Sequence, residues 1–123
     1  MTTLTYEMTP EFAKDLKRLT KRYRTLPSDL ETLQKAAIEL NHLLKIDNQA
    51  CLEIPGCVTD TAAAFKVKKF PCRSLKGKGA RSGLRLTYIF IPAEQRILLV
   101  ELYYKGEQSN ENRERILRYL TNC

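Results

Sequence analysis

The chain has 123 residues, the length of one compact domain, so residues 1–123 are expected to form a single unit and a second one is excluded. Its 43% hydrophobic and 28% charged residues exclude a disordered chain, and no apolar run approaches the ~20 residues of a membrane span. A balance of 21 Lys and Arg against 14 Asp and Glu gives a net charge of +7, which favours a polyanionic or acidic partner over a membrane.

The opening MTTLTYEMTPEF has no basic segment followed by an apolar one, so no secretion signal is expected and the location expected is cytoplasmic. Leu4 to Met8 alternates as a short first strand. Thr9 is placed to cap a helix, with Pro10 at its first position, where a missing N–H costs nothing. Phe12, Leu16, Leu19 and Tyr23 recur at helical spacing, while Lys14, Lys17, Lys21 and Arg22 fall largely on other faces. Pro27 is expected to stop that helix, and Ser28-Asp29-Leu30-Glu31 fits a capping box opening a second. The second helix carries an apolar stripe of Leu30, Leu33, Ala37, Leu40 and Leu44, and the short connection makes the two an antiparallel hairpin. Ile46 to Ala62 loses all period, contains Pro55-Gly56 and reads as a loop.

The second half changes rhythm. Ala64 to Phe70 alternates as a strand, and Cys72 to Ser82, with Gly77 and Gly79 among cations, reads as a basic loop. Leu84 to Ile91 and Arg96 to Tyr104 are strands joined by a tight turn at Pro92-Ala93-Glu94-Gln95. Ser109 or Asn110 is placed to cap a final helix, with Ile116, Leu117 and Leu120 facing the sheet. The order predicted is β-α-α-β-β-β-α, an α+β fold in which an N-terminal helical hairpin packs on a small, mainly antiparallel sheet with a C-terminal helix.

Much familiar chemistry is missing. Cys51, Cys57, Cys72 and Cys123 contain no CxxC pair and have only His42 for company, so no metal site is expected and free thiols are the expected state. One histidine leaves no two-histidine ribonuclease mechanism, and its place in a polar-leaning helix predicts a surface role. Without a GxxxxGK[ST] or GxGxxG segment no nucleotide cofactor has a cradle, and none is expected.

Cationic chemistry remains. From Ala63 to Arg85 there are eight cations (Lys66, Lys68, Lys69, Arg73, Lys76, Lys78, Arg81 and Arg85) and no acid, whereas residues 28–60 carry six acids against Lys35 and Lys45. So local an excess is a patch, of a kind common on nucleic-acid binders and equally compatible with a solvated strand face. Lys66 and Lys68 lie two apart and share one strand face. Arg85 sits on the next strand and Lys105 just beyond the last one, after Tyr103-Tyr104, so the four can converge on one sheet face or its rim. Clustered cations stabilise the added charge of a phosphorane-like transition state, and their mutual repulsion favours a fraction of neutral amine as a base.

Phe65-Lys66-Val67-Lys68 followed by Gly83-Leu84-Arg85-Leu86-Thr87-Tyr88 resembles the Y-K-I-K and G-Y-R-L-V-Y core of RelE toxins. The F-x-K-D-L-K-R-L wording at 12–19 and the ending Tyr103-Tyr104-Lys105-Gly106-Glu107 are similar to the same RelE/ParE superfamily, and Gly79 to Arg85 resembles the G-G-x-R segment of HigB-like relatives. The resemblance implies a toxin of a type II toxin–antitoxin system, a ribosome-dependent mRNA endoribonuclease that inhibits translation through attack of a ribose 2′-OH on the adjacent phosphate without a metal. It implies that Lys66 and Lys68 promote deprotonation and bind phosphate, that Arg85 stabilises transition-state charge, and that Lys105 serves the leaving group. Lys69, Arg73, Lys76, Lys78 and Arg81 would grip ribosomal or messenger RNA, and Tyr103 or Tyr104 would stack on a base.

Two departures from the pattern are visible. Lys69 to Ser82 makes a longer excursion between the K-x-K and G-x-R elements, and Glu111 and Asn112 stand where the family has a late tyrosine. The alternatives are a ParE-like gyrase inhibitor, which binds rather than cleaves, and an inactive member that only binds its antitoxin. The partners implied are a cognate antitoxin, mRNA on the ribosome, and operator DNA for a toxin–antitoxin hetero-oligomer.

Overall fold

The computed structural model describes residues 3–45, 50–74 and 82–123. Strand β1 (Thr5–Met8) runs parallel to β5 (Arg96–Tyr104), with Thr5 opposite Arg96 and Met8 opposite Leu99. Thr9 turns the chain from it into α1 (Pro10–Thr20). Its Oγ1 accepts from the Phe12 N–H at 3.0 Å and donates to the Val100 carbonyl at 3.3 Å, so one hydroxyl caps the helix and ties it to the sheet. Phe12 and Leu19 are fully buried, and Lys14, Lys17, Lys21 and Arg22 are exposed, as the spacing requires.

The second helix departs from expectation at both ends. Helix α2 (Leu26–Leu33) takes Pro27 into its own first turn instead of following it, because a residue without an N–H is tolerated there. Ser28 caps nothing; its hydroxyl accepts from Arg73 at 2.6 Å. The helix then widens into a π-helical stretch, Gln34–Glu39, before the short α3 (Leu40–His42). That wider turn shifts the phase, so Ile38 and His42 follow Ala37 into the core and Leu44 is left 64% exposed. His42 is accordingly buried rather than on the surface. Its Nε2 lies 2.6 Å from the Tyr88 hydroxyl, and its ring packs 4.7 Å from Phe65 and 4.2 Å from Phe90.

Part of the stretch read as a loop is a strand, β2 (Cys51–Val58). Its register against β3 (Ala63–Val67) breaks between Glu53 and Val58, around Pro55 and Gly56, the latter at φ +79°. Burial there falls on every third residue instead of every second, which erases the strand signal from the sequence. The remaining strands agree with the reading: β3, β4 (Leu84–Ile91) and β5 form an antiparallel meander, with a 3-10 turn at Pro92–Glu94 between the last two. Helix α4 (Arg113–Thr121) is capped by Asn112, whose side chain accepts from the Arg115 N–H, and not by Ser109 or Asn110.

The sheet order is β1-β5-β4-β3-β2, and the element order gains one strand, β-α-α-β-β-β-β-α. Phe12, Leu19, Leu30 and Leu33 from the N-terminal helices pack with Leu86, Tyr88 and Leu99 of one sheet face. Ile116 and Leu120 of α4 pack with Ile89, Val100 and Cys57 on the other. The fold class is the α+β arrangement expected, with helices on both faces of the sheet. Cys51, Cys57, Cys72 and Cys123 are free thiols.

A bulge in β5 organises the junction of these layers. Thr87 pairs with Glu101 but Tyr88 pairs with Leu99, leaving Val100 as the extra residue. The Val100 carbonyl accepts from Thr9 and from Arg115 (3.1 Å), and the Leu102 N–H donates to Asp15 at 3.2 Å. Asp15 also accepts from Arg115 at 2.7 Å, and both side chains are mostly buried.

Two outcomes follow. Asp15→Ala, which strands a buried guanidinium and a strand N–H, is expected to lower urea-unfolding stability by about 2–4 kcal/mol, against under about 1 kcal/mol for Arg118→Ala at an exposed pair. Burial, with Lys45 adding, pushes the His42 imidazole down to about 4, while it titrates near its ordinary 6.5 in the unfolded chain. Between those values the unfolded chain takes up a proton the native state refuses, so stability falls as pH drops through that window. The urea midpoint should therefore be lower at about pH 5 than at about pH 7, and His42→Phe should flatten that slope.

Candidate phosphate-binding cleft

Register brings the cleft together. Lys66 of β3 stands opposite Thr87 of β4, and Thr87 opposite Glu101 of β5; one row along, Arg85 stands opposite Tyr103. Lys68 continues β3 past the Val67–Leu86 pair and so lies alongside Arg85. The Arg85 Nη1 donates to the carbonyls of Lys68 (3.1 Å) and Leu84 (3.0 Å), which fixes the guanidinium between the two strands. Lys66, Lys68, Arg85, Tyr103 and Lys105, with Ser109 and Asn110, line one cleft of about 130 Å³. All four cations expected at the site thus meet, as does one of the two tyrosines.

The far wall is the segment 105–112, held at several points. The Lys105 N–H donates to the Gly83 carbonyl at 2.8 Å, and the N–H groups of Glu107 and Gln108 donate to the Tyr104 carbonyl. Glu101, 2% exposed, accepts from Gln108 Nε2 and from the Asn112 N–H, each at 2.8 Å. A carboxylate accepting two such bonds inside a protein is a strong anchor. Glu107 reaches out to Arg18 and Arg22 of α1, pairs that are exposed and contribute little.

The anchored wall brings a carboxylate into the cationic cluster. Lys66 Nζ donates to Glu111 Oε2 at 2.8 Å, with the two side chains only 15% and 14% exposed. Burial works to raise the Glu111 pKa, but the bond from Lys66, its own backbone N–H and the charges of Lys66 and Arg113 outweigh it, so Glu111 titrates below the ordinary carboxylate range. Tyr103 moves the other way: burial first, then the charges of Glu111 and Glu101, push its phenol up to about 12 against the opposing pull of Arg85. It is a neutral donor at physiological pH, and its hydroxyl has no hydrogen-bond partner among the described residues.

Other candidates lie elsewhere. Arg73 is pinned to α2, its Nε donating to Asp29 at 2.9 Å and its Nη2 to Ser28, so it closes the 71–74 segment onto the helix instead of joining the cleft. Tyr104 points to the opposite sheet face, its ring 6.1 Å from that of Tyr23 and wedged against Gly83 and Gly106. Tyr103 is 3% exposed on its strand and offers no open face for stacking. Lys69 is exposed and outside the cleft lining. Lys76, Lys78 and Arg81 lie outside the described residues. Sequence reasoning missed Glu101, for which the signal was an acid inside the apolar run Leu98 to Leu102, and noted Glu111 only as standing where the family has a late tyrosine, not as the partner of Lys66 across 45 positions of chain.

Two larger cavities carry no such cluster. One of about 390 Å³ lies beside α1, lined by Met8, Leu16 and Pro27 among others, and one of about 240 Å³ adjoins Asp29 and Arg73. Among the described residues, no group of three His, Cys, Asp or Glu side chains is arranged to hold a metal ion, and no helix is long and apolar enough to cross a membrane.

No protein-family model matches the chain, and no curated protein matches it. Among solved structures it is similar to a chain in the crystal structure of the archaeal RelE–RelB complex from Pyrococcus horikoshii OT3, with a TM-score of 0.51 and 14% identity. The match covers 85% of this chain and 98% of that one. The fold is RelE-like.

Because Glu101 carries the wall, Glu101→Ala should destabilise the chain by about 1–3 kcal/mol. The same change should speed hydrogen exchange at the Asn112 amide at least about tenfold while leaving the β4 amides protected.

Proposed function

We propose that the chain is the toxin of a toxin–antitoxin pair and acts as a ribosome-dependent endoribonuclease on mRNA. The observation that carries this reading is the convergence of Lys66, Lys68, Arg85 and Lys105 over Tyr103 in one cleft. Four cations against the single carboxylate that meets Lys66 leave a strong net positive field, suited to the scissile phosphate and to the extra charge it gains on attack. The RelE-like fold supports the same reading, since the similar archaeal chain was solved as a RelE–RelB complex.

In this reading the phosphate of the message lies against Arg85, whose Nη1 is already committed to backbone carbonyls and whose remaining N–H groups have no partner among the described residues. Lys68, exposed and without an ion-pair partner among the described residues, neutralises a non-bridging oxygen. The ribose 2′-oxygen attacks, the bond from phosphorus to the 5′-oxygen breaks, and the products are a 2′,3′-cyclic phosphate and a 5′-hydroxyl. Lys105, at the opposite wall, supplies a proton to the departing 5′-oxygen. Among the described residues the cleft offers no open face for stacking, so orientation of the base falls to the ribosome and free RNA is expected to be a poor substrate.

The antitoxin is expected to be an acidic segment that orders on the cationic surface of this chain. Affinity for it should fall steeply between low and high ionic strength, whereas an unchanged dissociation constant would point to an apolar interface instead.

Primer extension on message held in purified ribosomes tests the activity. Cleavage within the A-site codon is expected, with Arg85→Ala reducing the rate by about 10²- to 10³-fold, the usual loss for one oxyanion donor. Intact message with the unaltered chain would remove the ribonuclease reading. A gyrase supercoiling assay would then ask whether the fold serves a ParE-like inhibitor, and absence of growth arrest on expression alone would leave only antitoxin binding.

A further inference from the structure

Resting on the ribonuclease reading above, we propose that the Glu111 carboxylate is the acceptor for the 2′-hydroxyl proton and that Lys66 is the residue that positions it. The lysines of the cleft are badly placed for that task. Lys66 donates to Glu111 at 2.8 Å and therefore carries its proton in that bond. Lys68 and Lys105 are exposed ammonium groups in a cluster of cations, better used against the phosphate and the leaving oxygen. Glu101, the other acid nearby, is 2% exposed, and both its oxygens are occupied by Gln108 and Asn112. Glu111 differs on each count: it is partly open to solvent, it adjoins the cleft through Lys66, and only its Oε2 is given to another side chain.

Held by Lys66 and Arg113, the carboxylate is ionised throughout the neutral range, so every molecule carries the acceptor. A group that acidic is a weak base in the free protein, and the reaction itself corrects this. As the attacking oxygen bonds to phosphorus, negative charge grows beside Glu111, and a nearby like charge raises a carboxylate's proton affinity. Lys66 can turn at the same moment from Oε2 toward a non-bridging oxygen, which removes the interaction that kept Glu111 acidic. The balance closes: the O2′–H proton passes to Glu111 as O2′–P forms, P–O5′ breaks, and O5′ takes a proton from Lys105. Water then returns both groups to their starting charge.

Both sides of this arrangement face the proton: Lys66 from β3, Arg85 from β4, Tyr103 and Glu101 from β5, and Arg113 from α4. With an acceptor held below the ordinary carboxylate range, the unaltered chain should cleave at a rate nearly flat from about pH 6.5 to about pH 8.5 and falling in acid. A lysine base would give a rate that climbs through the alkaline side instead.

The test is single-turnover cleavage of ribosome-bound message by the full chain across that range, with Glu111→Gln alongside. Glutamine keeps the size and an oxygen acceptor for Lys66, so a clamp survives it while proton acceptance does not. The expected result is a rate reduced about 10²-fold or more at unchanged half-saturating concentration and melting temperature, with the acid limb lost. A Glu111→Gln rate within a few-fold of the unaltered chain, or an alkaline climb in the unaltered chain, overturns the proposal while the ribonuclease reading stands. Because the second readout needs no variant, loss of folding in Glu111→Gln leaves the question decidable. No cleavage by the unaltered chain at any pH overturns both.

Discussion

The bulge at Val100 in β5 is the constraint on which the cleft depends. One extra residue in a strand flips the alternation, so Val100 and Glu101 both turn toward α4 while Leu99 and Leu102 keep to the other core. It also leaves backbone groups without ladder partners, and those are satisfied by Thr9 and Asp15 from the α1 side and by Arg115 from α4. Both helical layers are fastened at the same spot. Glu101, turned inward by the same irregularity, fastens the segment that carries Glu111 to the cationic strands. Were the strand regular through this point, Glu101 would share the face of Leu99, and the segment would lose its anchor.

This construction reconciles two demands that ordinarily conflict. A site for a phosphodiester needs several cations close together, and close cations repel. The cations are divided among β3 and its continuation, β4 and the segment after β5, and the Lys68 carbonyl helps to hold Arg85. Arg85 is steadied by two carbonyls and Lys66 by one carboxylate, while Lys68 and Lys105 keep their charge at the solvent edge. Strand register and these contacts bring the four cations to one cleft within the fold.

Where burial follows a simple period, the sequence was readable. The β4 and β5 strands, the α1 stripe of Phe12 and Leu19, and the shared face of Lys66 and Lys68 all came from periods of two or 3.6. Irregular backbone hid the rest. A proline–glycine bulge removed the alternation from β2, and the π-helical turn carried His42 into an aromatic box of Phe65, Tyr88 and Phe90 that no window of α2 foretells. The cleft was half legible for a related reason. Lys66, Lys68, Arg85 and Lys105 reveal themselves through strand neighbours, whereas the Lys66–Glu111 pair joins residues 45 positions apart through a segment that Glu101 helps to hold. Local pattern carries no record of such a contact. Arg73 shows the converse: one more cation in a basic run, it is spent on Asp29, itself a buried member of the opposite helix.

The excursion between Lys69 and Ser82 is clamped at both feet. Arg73 and Ser74 bond to Asp29 and Thr25 on one side, and on the other Ser82 Oγ donates to the Phe70 carbonyl at 2.5 Å. Beyond those clamps the pairing of Val67 with Leu86 alone decides that Lys68 and Arg85 stand side by side. None of the residues that make these clamps lines the cationic cleft. The anchoring of the excursion and the alignment of the cations are thereby assigned to separate stretches of one continuous polypeptide.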